Sequence, residues 1–230
     1  MKTGAASVFA VVAIVLGGCA AVPQVPVALD QHALGAESGR MGVAMAPIPR
    51  VDTAFPGAGC LLCMATASVA NASLTTHART LPLEDLPNLK NDIADLLRKK
   101  GNDVTVIEEE VDLKKLSNLS SKGPNIAKKD FSPLQQKYHI DKLLVIEITS
   151  IGFVRDYSAY IPTSDPRSVL EGAGYIVNLK DHVYEWYVPV KIIKNAEQNW
   201  DEPPKFPGLT NAYFQSLETG KDSFLAPFKN

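Results

Sequence analysis

The chain lacks the short motifs that announce most enzymes. It has no Gly-x-Ser-x-Gly turn for a nucleophilic serine, and no glycine-rich phosphate loop. The nearest approach, Gly172-Ala173-Gly174, precedes a predicted strand rather than a helix, so it does not fit a dinucleotide site. The four histidines are scattered, none at ligand spacing with another histidine or cysteine: His32, His77, His139 and His182. We therefore predict no catalytic residue, no metal site and no cofactor, and a protein that is not an enzyme.

An excess of charge of either sign is also missing. The 230 residues carry 23 Lys and Arg against 25 Asp and Glu, a formal net charge of −2. No polybasic segment occurs, which argues against nucleic acid as a partner and against electrostatic binding to a membrane surface. After the N-terminal residues no second long apolar run follows, so the sequence predicts no transmembrane helix beyond them.

The N-terminus has the form of an export signal. Lys2 precedes an apolar run from Ala5 to Leu16, which is short for a bilayer span, and small residues follow. Leu16-Gly17-Gly18-Cys19 resembles the lipobox of bacterial lipoproteins. The resemblance implies that residues 1–18 are removed as a signal peptide and that Cys19 carries a diacylglycerol and a fatty acyl chain such as palmitate. The alternatives are an ordinary cleaved signal with an incidental cysteine and an uncleaved membrane anchor.

Residues 19–39 are predicted to form a flexible, lipidated tether. Prolines and glycines interrupt any periodic pattern, and a chain of this length has a root-mean-square reach of about 25 Å. Residue 20, which follows the lipobox cysteine, is alanine and not the aspartate that retains lipoproteins in the inner membrane of enteric bacteria. The resemblance therefore implies an anchor in the outer membrane, on its periplasmic face, with residues 40–230 as one folded domain.

The domain is predicted to be α+β, with a single mixed β-sheet of about five strands packed by three to four helices. Apolar residues three and four apart predict a helix over 83–100, and Leu143–Ile146 predicts a central strand within 142–153. A hairpin is expected over 173–179 and 183–193, with Pro189 indicating an edge strand. The alanine-rich segment from Cys60 to Ala78 predicts a buried helix.

Two stretches carry a further resemblance, LKNDIADLLRKKGNDVTVIE and LQQKYHIDKLLVIEITSIG, followed by a hairpin and a last helix. This order is similar to an α/β module of the curli-secretion lipoprotein, of penicillin-binding-protein activator lipoproteins and of the N-terminal domain of the Tol translocation protein. The resemblance implies a module for binding or assembly with no catalytic residues. Its curli member also allows an oligomeric secretion or pore-type lipoprotein.

Cys60 and Cys63 are the one pair of residues whose chemistry could serve a function. If Cys19 is lipidated, they form the only disulfide that the chain allows, and an exported protein could keep it. A structural disulfide, a redox-active dithiol that would make the chain a thiol–disulfide redox protein, and an incomplete metal site are the three interpretations.

Aromatic residues near an arginine form the better candidate for binding, since Trp, Tyr and Arg dominate interface hot spots. The alternative is simple loop packing. The predicted partner surface consists of Arg155, Tyr157, Tyr160, Trp186, Trp200 and Phe206. The sequence thus predicts a lipid-anchored module of the outer membrane that binds an envelope protein, as a monomer or as a homo-oligomer.

Overall fold

The computed structural model of the chain describes residues 24–30, 34–35, 38–121 and 123–229. The predicted signal peptide, the lipobox and Cys19 lie outside the described residues. The domain combines eight strands with five α-helices, as the α+β prediction required. The strands are β1 (Met41–Met45), β2 (Asp52–Ala54), β3 (Val104–Val106), β4 (Lys142–Val154), β5 (Tyr157–Ser158), β6 (Ile161–Pro162), β7 (Arg167–Asn178) and β8 (Tyr184–Asn195). The helices are α1 (Leu61–Ala70), α2 (Ala72–Ala78), α3 (Leu89–Lys99), α4 (Ser132–Tyr138) and α5 (Pro207–Lys229).

The sheet is mixed and is organised around β4. Its order is β3-β1-β4-β7-β8, with β2 paired to β4 further along the edge that β1 uses. The β1 strand runs parallel to β3 and β4, whereas β7 is antiparallel to both β4 and β8. The predicted central strand and hairpin are confirmed, and β8 with Pro189 ends the sheet order, as that proline indicated.

Two layers cover the sheet. One face packs against α2, α3 and α5, and the other against α4 and the segment that precedes it. Alternate residues of β4 supply the two faces, so that Leu144 and Ile146 enter one core while Leu143 and Val145 enter the other. The second face is covered less completely, because α4 has only seven residues.

Two helices differ from prediction at their ends. A 3-10 turn, Leu86–Asn88, accommodates Pro87, and α3 begins only at Leu89. The sequence predicts that Gly220 ends a last helix beginning at about Thr210, but α5 continues through this glycine. A Cβ on Gly220 would lie 2.9 Å from the side chain of Leu170, so this glycine permits close packing of α5 on β7 rather than ending the helix.

The prediction of a free tether over 19–39 is wrong for its described part. The backbones of Val27 and Tyr187 exchange hydrogen bonds of 2.9 and 3.0 Å, which adds a short bridge to the edge strand β8. The Gln24 amide Nε2 donates to Oδ1 of Asn125 at 2.9 Å. Residues 24–30 therefore belong to the folded domain. No helix in the described ranges has both the length and the apolar character that crossing a bilayer requires.

We expect Gly152→Ala to destabilise the domain. Gly152 has φ +130°, and an added Cβ would meet the Asp52 carbonyl oxygen at 2.1 Å in the paired strand β2. Strain at such a position costs roughly 1–3 kcal/mol before the clash is counted. The control is Gly59→Ala, because nothing lies within 4 Å of its added Cβ. Urea denaturation of both variants measures the free energy of unfolding, and equal values would contradict the β2–β4 pairing.

Candidate functional site

The chain segments that follow β2 and β4 meet at one end of the sheet. Ala54 and Val154, the last residues of the two strands, are paired in register. Beyond them, the Tyr157 N–H donates to the Pro56 carbonyl at 2.7 Å, and the Ala159 N–H donates to the Gly57 carbonyl at 3.3 Å. These bonds attach the β5–β6 hairpin to the loop from which α1 begins.

The two cysteines form the start of α1. Cys60 is the N-cap residue, and its sulfur accepts a hydrogen bond of 2.9 Å from the Cys63 N–H. Cys60 and Cys63 are joined as a disulfide with their Cα atoms 4.9 Å apart. Cys60 is exposed whereas Cys63 is buried. A role of this pair in thiol–disulfide exchange stays a prediction.

A small core separate from the main ones holds α1 by a single narrow face. It contains Phe55, Ala58, Cys63, Ala67 and Tyr157. The rings of Phe55 and Tyr157 meet edge to face at 5.9 Å. At the end of α1, the Asn71 amide donates both to the Tyr157 hydroxyl oxygen at 2.7 Å and to the Ala67 carbonyl at 2.8 Å.

The opposite face of α1 is apolar and faces solvent, so the prediction of a helix buried on several sides is wrong. Leu62, Ala65 and Val69 are all exposed and share this face at positions i, i+3 and i+7. Alanine content favours a helix, but it does not determine which sides of the helix are covered. Within the described ranges, six of the eight exposed large hydrophobic side chains lie on α1 or on the β5–β6 hairpin. They are Leu61 (91% exposed), Leu62 (64%), Met64 (43%), Val69 (78%), Tyr160 (49%) and Ile161 (68%), and we call them the tip.

The tip is also free of charge. No Asp, Glu, Lys or Arg occurs from Thr53 to Ala78 or from Tyr157 to Ser164, in a chain that is 21% charged. Exposed apolar side chains concentrated in this way commonly mark a binding surface. This absence of charge over a long stretch is the sequence signal that could have identified the tip.

Charged residues border the uncharged tip. Arg50 and Arg79 both contact the Asp52 carboxylate, at 3.0 and 3.1 Å, and on the other side Arg167 pairs with Asp156. Burial alone would raise the pKa of Asp52, but hydrogen bonds from Arg79, the Thr53 N–H and Arg50 outweigh it and lower the pKa. An apolar centre with a polar rim is the usual anatomy of a protein interface.

The structure brings two of the six residues predicted to bind a partner, Arg155 and Trp200, into direct contact. The Arg155 guanidinium stacks over the Trp200 ring, with its Cζ 4.6 Å from the ring centroid. Its Nη1 donates to the Asn71 side chain at 3.0 Å, and its Nε donates to the Ser164 carbonyl at 3.1 Å. The stack therefore lies beside α1, at the same end of the domain as Tyr160.

The prediction is wrong for Tyr157, Trp186 and Phe206, which are buried with 6%, 3% and 3% of their surface exposed. Tyr157 supports α1 from beneath. The Trp186 ring packs edge to face on Phe228 of α5 at 5.1 Å, and the Phe206 ring lies 5.7 Å from that of His77. Each aromatic ring fills a core because an element distant in sequence covers it.

The described histidines do not assemble a metal site. His77 Nε2 lies 2.7 Å from the Thr210 hydroxyl oxygen, and burial lowers the pKa of His77. His139 and His182 occupy turns with positive φ. Across the described part of the chain, no group of three His, Cys, Asp or Glu side chains is placed to hold a metal ion.

No protein-family model matches the chain, and no curated protein is similar to it in sequence. Among solved structures, a PelC dodecamer from Paraburkholderia phytofirmans shares 8% identity over 89% of this chain and 94% of its own, with a TM-score of 0.40. A DUF330 protein from Xanthomonas campestris shares 14% identity over 88% and 90%, with a TM-score of 0.40. A lipoprotein from Neisseria meningitidis shares 12% over 78% and 98%, with a TM-score of 0.31. Likeness of this size assigns no family, and the resemblance to the curli-secretion, activator and Tol proteins stays a prediction.

We expect acidic substitutions to separate the two faces of α1. Leu62→Asp and Val69→Asp should change the free energy of unfolding by less than about 0.5 kcal/mol, because both side chains already face water. Ala67→Asp in the same helix should destabilise strongly, because it buries an unpaired carboxylate at a position with no exposed surface. Thermal and urea unfolding measure all three. Similar losses at positions 62 and 67 would mean that α1 packs through the face assigned here to solvent.

Proposed function

We propose that this chain is a lipid-anchored, non-catalytic protein of the bacterial envelope whose tip docks a protein partner. The observation that carries the proposal is the uncharged apolar outer face of α1, exposed together with Tyr160 and Ile161. Exposing these side chains to water is unfavourable, and covering one of the aliphatic side chains contributes up to about 3 kcal/mol. A binding surface accounts for this arrangement better than a structural role does.

The chemistry of the surface indicates what kind of partner fits. Aliphatic side chains form its centre, while Tyr160 and the Arg155–Trp200 stack provide the residue types that dominate hot spots. A charged partner group buried against the centre would find no counter-charge, which is costly. The partner surface is therefore apolar and uncharged where it meets α1.

The position of the chain entry supports a partner other than the anchoring bilayer. Gln24 contacts Asn125, whose carbonyl accepts a hydrogen bond of 2.7 Å from Tyr184 near the Leu143 end of β4. The tip lies beyond Val154 at the other end, about 36 Å further along the strand at roughly 3.3 Å per residue. From Cys19 to Gln24 the chain spans at most about 18 Å. A lipid on Cys19 therefore holds the Leu143 end of the domain nearer to the membrane.

The anchor is proposed to be the thiol of Cys19, in the outer membrane on its periplasmic side, as Ala20 and the lipobox suggest. When the chain is expressed in a bacterium supplied with labelled palmitate, we expect the label on the wild-type protein and not on Cys19→Ser. Cys60→Ser, which leaves Cys19 in place, serves as the control and should be labelled. Label on the Cys19→Ser protein would contradict the anchor.

The docking role is tested by the size of the complex that mild detergent extracts from membranes. We expect the wild-type chain to migrate as a complex larger than the monomer. The amount of this complex should be at least ten-fold lower for the Leu62→Asp, Val69→Asp double variant. The control is Val25→Asp, since Val25 is 66% exposed, much as Leu62 is, but lies outside the tip. A complex that the double variant retains would contradict docking at the tip, and one built only from copies of this chain would make the tip a homo-oligomer contact.

A further inference from the structure

A cavity of about 270 Å³ opens on the other face of the sheet, away from the tip. It lies where α4 and the segment before it stop covering the strands, and Phe131 forms part of its wall. Three strands contribute its floor: Glu147 from β4, Tyr175 from β7, and Tyr184 with Tyr187 from β8. None of these residues belongs to the proposed docking surface.

The three tyrosines form a continuous aromatic wall. Tyr175 and Tyr187 are direct cross-strand partners, and their rings are nearly parallel, with centroids 6.0 Å apart. Tyr184 completes the group with centroids 5.4 Å from Tyr175 and 5.3 Å from Tyr187. Tyrosine faces carry a negative electrostatic potential and attract cations.

Glu147 adds a carboxylate to the cavity. Its side chain is half-buried, and within the described ranges no hydrogen bond or ion pair reaches it. Burial raises the pKa of Glu147, and the positive charge of Lys128 acts weakly in the opposite sense. Burial also raises the pKa of Tyr175 and Tyr187, and the negative charge of Glu147 adds to that effect.

Neither lysine at the cavity pairs with the Glu147 carboxylate as its counter-ion. Lys129 directs its Nζ to the Leu116 carbonyl at 3.1 Å, and Lys128 is exposed and forms no ion pair with Glu147. Partial burial removes some of the water around the Glu147 carboxylate, so a cation placed between Glu147 and the tyrosines would gain both an ionic and an aromatic contact. An anion entering the same space would meet the charge of Glu147.

We propose that this cavity binds a small molecule through an ammonium group, which the Glu147 carboxylate and the aromatic rings of Tyr175, Tyr184 and Tyr187 hold. The volume suits a ligand of the size of choline rather than a polymer. An anionic group on the same ligand would lie toward Lys128 at the mouth. The site is independent of the proposed docking function, since it uses different residues on a different part of the sheet.

The test compares choline with 3,3-dimethylbutan-1-ol, its uncharged isostere, on the full chain in a maltoside detergent by ligand-observed NMR titration. We expect choline to bind at least ten-fold more tightly than the alcohol, and Glu147→Gln to weaken choline by at least ten-fold. Tyr187→Leu should also weaken it. The control is Glu171→Gln, whose carboxylate pairs with Lys191 outside the cavity and whose loss should leave choline binding unchanged.

Thermal unfolding of each variant verifies that it is folded. Equal binding of choline and the alcohol, choline binding that Glu147→Gln does not change, or no binding of choline to the wild-type chain would each overturn the proposal.

Discussion

The pairing of β4 with its neighbours is the constraint on which the rest of the domain depends. This strand takes up β1 and then β2 along one edge and runs against β7 along the whole of the other. Its first half is buried on both faces and carries the two main cores. Its second half extends to the end of the domain where α1 and the β5–β6 hairpin project. One strand thus separates an end reached by the N-terminal chain from an end that offers an apolar surface.

Periodic patterns predicted the parts of the fold in which burial follows local sequence. The apolar stripe of α3, the apolar run of β4 and the proline of β8 each determine one element through its own residues. Local sequence patterns were insufficient where contacts with an element distant in sequence determine the structure. Gly220 indicates a helix end in sequence, but Leu170 of β7 requires a small residue there. Val27 was assigned to a tether, but the edge of β8 offers its backbone a partner.

The candidate sites show the same limit. Arg155 and Trp200 are far apart in sequence, and they were predicted to share a surface only because arginine and aromatic side chains dominate interface hot spots. Trp186 was predicted on the same grounds and is buried, because α5 places Phe228 over it. The group of Glu147 with its three tyrosines comes from three strands, so only the sheet register brings it together. The outer face of α1 was missed because helix propensity is a property of the segment alone.

The central claim is that the outer face of α1 meets a protein in the envelope. The most direct measurement places a photoreactive amino acid at Val69 in the full chain, irradiates intact cells, and compares the products with those from the same group at Val25, an exposed apolar position outside the tip. The account predicts one dominant protein adduct at position 69 and little at position 25. Equal adducts at both positions, or none at position 69, would contradict it.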